Sequence, residues 1–242
     1  MSLLAITSCF VLSSHGFSNA IYLFYFALIS LIFSMSFWWR DVISEGTYMG
    51  NHTMAVQRGL NMGVGLFIIS EALFFLGIFW AYFHSSLSPT IEMGAHWPPA
   101  GIESVNAFEL PLFNTILLLS SGFTVTYAHH SLIRGLRKGT LYGMAYTVIL
   151  AVIFTAAQAI EYKMSSFNIS DGAYGACFYF ATGFHGFHVI VGTAFIAVSL
   201  WRMAAYHFTD NHHLGLESSI LYWHFVDLVW LFLYINIYYW GS

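Results

Sequence analysis

Six long apolar stretches limit what this chain can fold into. They run over Ala20–Trp38, Gln57–Phe83, Pro111–Leu132, Thr140–Tyr162, Gly172–Trp201 and Ser218–Trp240. A helix of about 20 apolar residues crosses the ~30 Å hydrocarbon core of a bilayer. A seventh stretch, Met1–Ser14, reaches only about 21 Å as a helix and is read as a partial first span. Only 7% of the residues are charged. A soluble domain carries about a quarter, so a solvated surface cannot be covered here. The pattern predicts an all-α membrane protein with seven transmembrane helices, the first of them short.

The formal net charge is -4 and no basic run occurs, which leaves nucleic acid out as a partner. Cys9 and Cys177 are too few for a disulfide framework or a cysteine metal site. Charge also orients the spans. With successive loops on alternating sides, Arg40, Arg58, Arg134, Arg137, Lys138 and Arg202 lie on one side and only Lys163 on the other. That asymmetry puts the N-terminus on the positive side and the C-terminus opposite. The stretch from His84 to Leu110 holds three of the four prolines and reads as an ordered loop.

One carboxylate interrupts the apolar sequence "GLFIISEALFFLGIFW". Glu71 lies near the middle of its span, where an ionised side chain costs about 3 kcal/mol. Protonation, a hydrogen bond to a neighbouring helix, or a face toward a protein partner would each lower that cost. No basic partner is evident at the same depth. Two readings stay open: a proton relay, ion site or reactive carboxyl, and a protonated acid that ties two helices together. Asp227, in "HFVDLVWLF", lies nearer the start of the last span and reads as a polar contact between helices.

Twelve histidines raise the question of a metal. His185 and His188 are three apart on one helix face. A bis-histidine haem would need His224 to face His185 at matched depth. His129–His130 and His212–His213 are adjacent pairs near the positive-side surface. Dense histidine boxes are lacking, and no metal site is expected. The imidazoles read as hydrogen bonds between helices or as headgroup-level side chains. Trp38, Trp39, Trp80, Tyr82, Trp97, Tyr238, Tyr239 and Trp240 sit near span ends and read as an aromatic belt. Gly59-x-x-x-Gly63 offers a place for close helix approach. At the positive-side interface, Trp38, Trp39, Arg40, Glu45 and His52 cluster in one stretch, and Arg202 and His207 in another. Arg and His donate to phosphate and Trp anchors at headgroup depth, so both stretches fit lipid headgroups or ordinary interface anchoring.

Longer motifs carry a resemblance. "WWRDV", "FIISEALFFLGIFWAYFHSSLSP", "HWPPAGI", "ELPLFNTILLLSSG", "TYAHHSL", "FNISDGAYG", "ATGFHGFHVIVGT" and "YWHFVDLVWLFLYINIYYWGS" occur in this order. Together they resemble subunit III of cytochrome c oxidase, continuously from about residue 38 to the C-terminus and more loosely before it. The resemblance implies a mitochondrial-type subunit with no redox centre or catalytic residue of its own. Its implied partners are subunits I and II and small accessory subunits, with haem a, haem a3 and copper in those partners. The complex reduces oxygen to water and pumps protons. The implied place is the mitochondrial inner membrane, N-terminus on the matrix side and C-terminus on the intermembrane-space side. Residues 1–56, helices 1 and 2, would lean away from residues 57–242, helices 3 to 7, leaving a V-shaped cleft for phospholipids. By the motif, Trp38, Trp39, Arg40, Glu45, His52, Arg202 and His207 match lipid-binding positions. Glu71 matches a buried carboxylate that reacts with hydrophobic carbodiimides. The implied role is to stabilise the catalytic subunit and to support oxygen access and proton uptake.

Two departures from the family pattern add expectations. The longer polar leader with a Pro-Ser-Pro-Trp-Pro-like segment is not seen, so the first helix is read as truncated or as completed by a separate chain. Ser44 and Gly46 stand where Arg and Ser are usual, which takes away one headgroup contact. Two other classes compete: an independent transporter or proton channel built on Glu71 and Asp227, and a redox enzyme built on His185, His188 and His224. A quinol-type relative would lack the first two helices.

Overall fold

A computed structural model describes residues 2–241. Its elements are α1 (Ser2–Ser14), α2 (Ala20–Thr47), α3 (Met54–Leu87), a short 3-10 turn (Ile91–Met93), α4 (Leu110–Ile133), α5 (Arg137–Met164), α6 (Gly172–Ala204) and α7 (Leu214–Leu233), which continues as a π-helical turn (Tyr234–Tyr239). Six helices are long and apolar enough to span a membrane, and the 13-residue α1 is shorter. The seven-helix expectation holds, short first helix included. The helices run past the apolar stretches that predict them. At 34 residues α3 is about 50 Å long, so its ends reach beyond the hydrocarbon core.

The chain gathers into two compact units, one up to Arg58 and one from Gly59. In the first, α1 and α2 form a hairpin whose turn places Gly16 at a φ of +88°, a conformation that glycine adopts without strain. Among the described residues its buried side chains are small, namely Cys9, Ala20 and Ala27, while Tyr22, Phe26 and Trp38 are 73%, 72% and 71% exposed. A face this apolar calls for lipid or a protein partner.

In the second unit, α4 and α5 are held together by small residues. A Cβ on Gly143 would meet Ala128 Cβ and the Thr124 carbonyl oxygen, each at 2.8 Å. Only glycine lets the two backbones come this close. One turn on, the Thr124 and Thr147 hydroxyls hydrogen-bond at 2.8 Å. The close approach is therefore at Gly143. A Cβ on Gly59 or Gly63 meets nothing within 4 Å.

The centre of this unit is α7. Trp223 and Trp230 are fully buried. Their indole N–H groups donate to Ser121 Oγ at 3.0 Å and to Thr115 Oγ1 at 2.9 Å. Tyr82 and Tyr238, expected in the aromatic belt, are buried as well. The Tyr82 hydroxyl donates to the Asn236 carbonyl at 2.8 Å, and that of Tyr238 to Glu161 Oε1 at 2.6 Å. With both hydroxyls satisfied inside, the rings serve as core. Trp38, Trp39, Trp80, Tyr239 and Trp240 remain exposed.

Two tethers fix the loops of the second unit. Trp97 packs against Tyr82 and Tyr174, and Tyr234 donates to the Ala107 carbonyl at 3.3 Å. Arg137 closes the end of α6. Its Nη2 donates to the Met203 and Ala204 carbonyls at 3.1 and 2.8 Å, and its guanidinium lies 3.6 Å from the centre of the Tyr206 ring. The guanidinium thus adds a donor at carbonyls of the last helical turn.

Candidate functional site

One stripe of α3 packs on α6 and α7. Phe67 stacks on Tyr222 at 6.3 Å, Phe75 meets Phe225 at 6.1 Å, and Phe79 meets Phe232 at 6.0 Å. Residues four apart lie above one another on a helix. Glu71 falls between Phe67 and Phe75 on this stripe, so its carboxyl is directed at the neighbouring helices.

Glu71 Oε2 lies 2.7 Å from His188 Nε2 on α6, and His188 Nδ1 lies 2.7 Å from the Phe184 carbonyl oxygen. A carbonyl only accepts, so Nδ1 carries a hydrogen. The Nε2–Oε2 bond then holds one proton. Either a protonated Glu71 donates to a neutral imidazole, or an imidazolium donates to a carboxylate. Both arrangements contain the same number of protons and carry no net charge. The pair thus spares the apolar layer a lone carboxylate. Phe75 meets the imidazole edge-on at 5.1 Å, and Tyr222 stacks on it at 6.3 Å. The His188 side chain is 7% exposed and that of Glu71 24%, which makes the carboxyl the accessible end.

A basic partner at the depth of Glu71 does exist, contrary to the sequence reading. Glu71 is 17 residues from the Met54 end of α3, and His188 is 16 residues from the Ala204 end of α6. Loop alternation puts those two ends on one side, so residue counting alone matches the depths.

The other polar groups of the spans divide differently. His185 lies 3.1 Å from the Val226 carbonyl and packs on Trp230 and Phe154, whereas His224 lies 3.2 Å from Thr126 Oγ1 on α4. Each imidazole is engaged on a different helix, which is not the facing pair that a bis-histidine haem needs. Asp227 lies against α4 at Gly122, where a Cβ would be 2.6 Å from its Oδ2, and its buried Oδ1 has no hydrogen-bond partner among the described residues. The expected interhelical contact is therefore steric rather than a hydrogen bond through Oδ1.

The interface residues form one set in each unit. In the first, the exposed Trp38 and Trp39 rings stack at 6.3 Å. Arg40 donates through Nε and Nη2 to its neighbour Asp41 at 3.0 and 2.8 Å. Glu45 is exposed. A Cβ on Gly46 would lie 2.8 Å from His52 Nδ1, so the glycine makes room for the His52 ring at the end of α2. In the second unit, Arg202 lies 4.3 Å from the centre of the Phe208 ring, and His207 packs on Trp201 at 5.5 Å. Partial burial, and then the Arg202 charge, hold the His207 imidazole below its usual pKa.

The family model described as cytochrome c oxidase subunit III matches residues 1–242, the whole chain. The chain belongs to the cytochrome c oxidase subunit III family. The cytochrome c oxidase subunit 3 of Podospora anserina is 67% identical over 242 residues, which is 100% of this chain and 90% of the relative. That of Neurospora crassa is 66% identical over 240 residues, 99% of this chain and 89% of the relative. That of Mycosarcoma maydis is 58% identical over 246 residues. Subunit III is a multi-pass membrane subunit of respiratory complex IV, an oxidoreductase complex, and its partners are other subunits of that complex.

Proposed function

We propose that this subunit III is a structural core subunit of mitochondrial cytochrome c oxidase that holds phospholipid and stabilises the catalytic subunit I. It lies in the inner membrane, N-terminus toward the matrix and C-terminus toward the intermembrane space. Subunits I and II carry haem a, haem a3 and copper. Its contribution to oxygen access and proton uptake comes from apolar faces and bound lipid rather than from redox chemistry of its own. Trp38, Trp39, Arg40, Glu45, His52, Arg202 and His207 are the lipid-contacting residues.

The observation that carries the lipid reading is the setting of Arg202. Its guanidinium sits over Phe208 and its charge acts on His207, which packs on Trp201; a phosphate there would meet a cation, an imidazole donor and an indole anchor. Replacing Arg202 by alanine is expected to remove one phospholipid per complex, read by mass analysis of the intact oxidase. Unchanged lipid retention would sink the assignment.

Glu71 is the carbodiimide-reactive carboxyl in this reading, because a proton shared with His188 supplies the protonated acid that such reagents attack. Labelling of this subunit should disappear in Glu71→Gln while the oxidase still assembles. Equal labelling of the variant would assign the reaction to another carboxyl.

A further inference from the structure

Away from the Glu71–His188 pair, the end of α4 and the start of α7 bring three metal-ligating side chains together. One ring nitrogen each of His129 and His213 and a carboxylate oxygen of Glu217 all lie within 4.8 Å of one another. His213 caps α7 and Glu217 follows one turn later, so both project on one face. His213 Nδ1 lies 3.0 Å from the Thr209 carbonyl oxygen and therefore carries its hydrogen. That leaves Nε2 as the lone-pair nitrogen, 3.2 Å from Glu217 Oε1. His129 Nε2 is buried and has no hydrogen-bond partner among the described residues. A buried nitrogen without a partner calls for a group that is not part of the chain.

We propose that His129, His213 and Glu217 bind a divalent transition-metal ion of the zinc class. Two imidazoles and a carboxylate are a ligand set that Zn2+ takes readily, with a fourth position left to water. Bonds of about 2.0–2.1 Å in a tetrahedron space ligand atoms about 3.4 Å apart. His213 and Glu217 already have that spacing. The His129 nitrogen lies within 4.8 Å of both, close enough to join them on one ion. The Thr209 carbonyl behind His213 is the outer partner that fixes a ligating imidazole's tautomer and orientation. An ion here ties the end of α4 to the start of α7. A His213–Glu217 ion pair alone would leave the His129 nitrogen unpaired.

The test uses the intact, purified oxidase, stripped with a chelator and titrated with Zn2+ alone. Zinc per complex is counted by mass spectrometry for the wild type, His129→Gln, His213→Gln and Glu217→Gln. Glu217 is 44% exposed at its side chain, so Glu217→Gln keeps the fold even if a histidine variant fails to assemble. The wild type should take one zinc ion more than either histidine variant, and Glu217→Gln should bind that ion at least tenfold more weakly. Anomalous scattering at the zinc edge should place it between the three side chains. Equal zinc stoichiometry and affinity in wild type and Glu217→Gln, or a zinc signal confined to other places, would overturn the proposal.

Discussion

Replacing Gly143 by leucine is expected to remove this subunit from the purified oxidase. A Cβ at this position already meets the Thr124 carbonyl oxygen and Ala128 Cβ at 2.8 Å, and Ala128 Cα at 3.1 Å. Two of those three atoms are backbone, so the clash cannot be relieved by turning a side chain. The helices have to separate. Separation breaks the 2.8 Å bond between Thr124 and Thr147 and opens the seam that Ser131 closes against Gly139. Overpacking a well-filled core costs about 1–3 kcal/mol. A backbone-to-backbone clash belongs at the upper end, about 3 kcal/mol. In lipid no hydrophobic force pushes the helices back together, because the tails solvate apolar surface as well as a leucine does. The measurement is the amount of this subunit relative to the catalytic subunit after purification in mild detergent. Gly186→Ala is the control, since a Cβ there meets nothing within 4 Å, and it should leave the ratio unchanged. A Gly143→Leu complex with a normal ratio would show that the α4–α5 contact is not needed to hold the subunit.

Gly143 also shows where reading the sequence stops. The six spans and the short α1 follow from hydropathy and length, because a fixed bilayer thickness converts a count of apolar residues into a structure. Partner choice is a different quantity. Gly59-x-x-x-Gly63 and Gly139-x-x-x-Gly143 read alike, and only the packed structure reveals that Gly143 meets a neighbouring backbone and Gly139 the Ser131 and Tyr127 side chains. Tyr82 and Tyr238 sit near span ends in sequence, yet their hydroxyls find acceptors inside the bundle. The His188 partner of Glu71 was within reach, since counting residues from helix ends on the same side matches their depths. His213 and Glu217 are one helical turn apart, but His129 comes from a helix distant in sequence and no local spacing announces it. The family motifs, by contrast, identified the subunit directly, because long gapless matches do not depend on knowing which helix faces which.

The second large effect concerns the bond between Glu71 and His188. His188→Leu should release the subunit at a clearly lower detergent concentration than wild type. The substitution removes a hydrogen bond worth about 0.5–1.5 kcal/mol in its neutral form and about 1.5–3 kcal/mol in its ionic form. It also leaves Glu71 with no partner on α6. Because the Glu71 side chain is 24% exposed, part of its desolvation is relieved, which keeps the loss below the ~3–5 kcal/mol of a fully buried broken pair. Glu71→Leu leaves the mirror-image orphan, His188 Nε2, and should weaken retention by about 1–3 kcal/mol. Glu71→Gln behaves differently. Its amide N–H donates to Nε2 while His188 Nδ1 keeps the Phe184 carbonyl, so retention stays within about 1 kcal/mol of wild type. The double change Glu71→Leu with His188→Leu should cost less than the two single changes together, since the second removal creates no new orphan. Strictly additive losses, or a glutamine as disruptive as the leucine, would mean that the two side chains do not act as one hydrogen-bonded latch between α3 and α6.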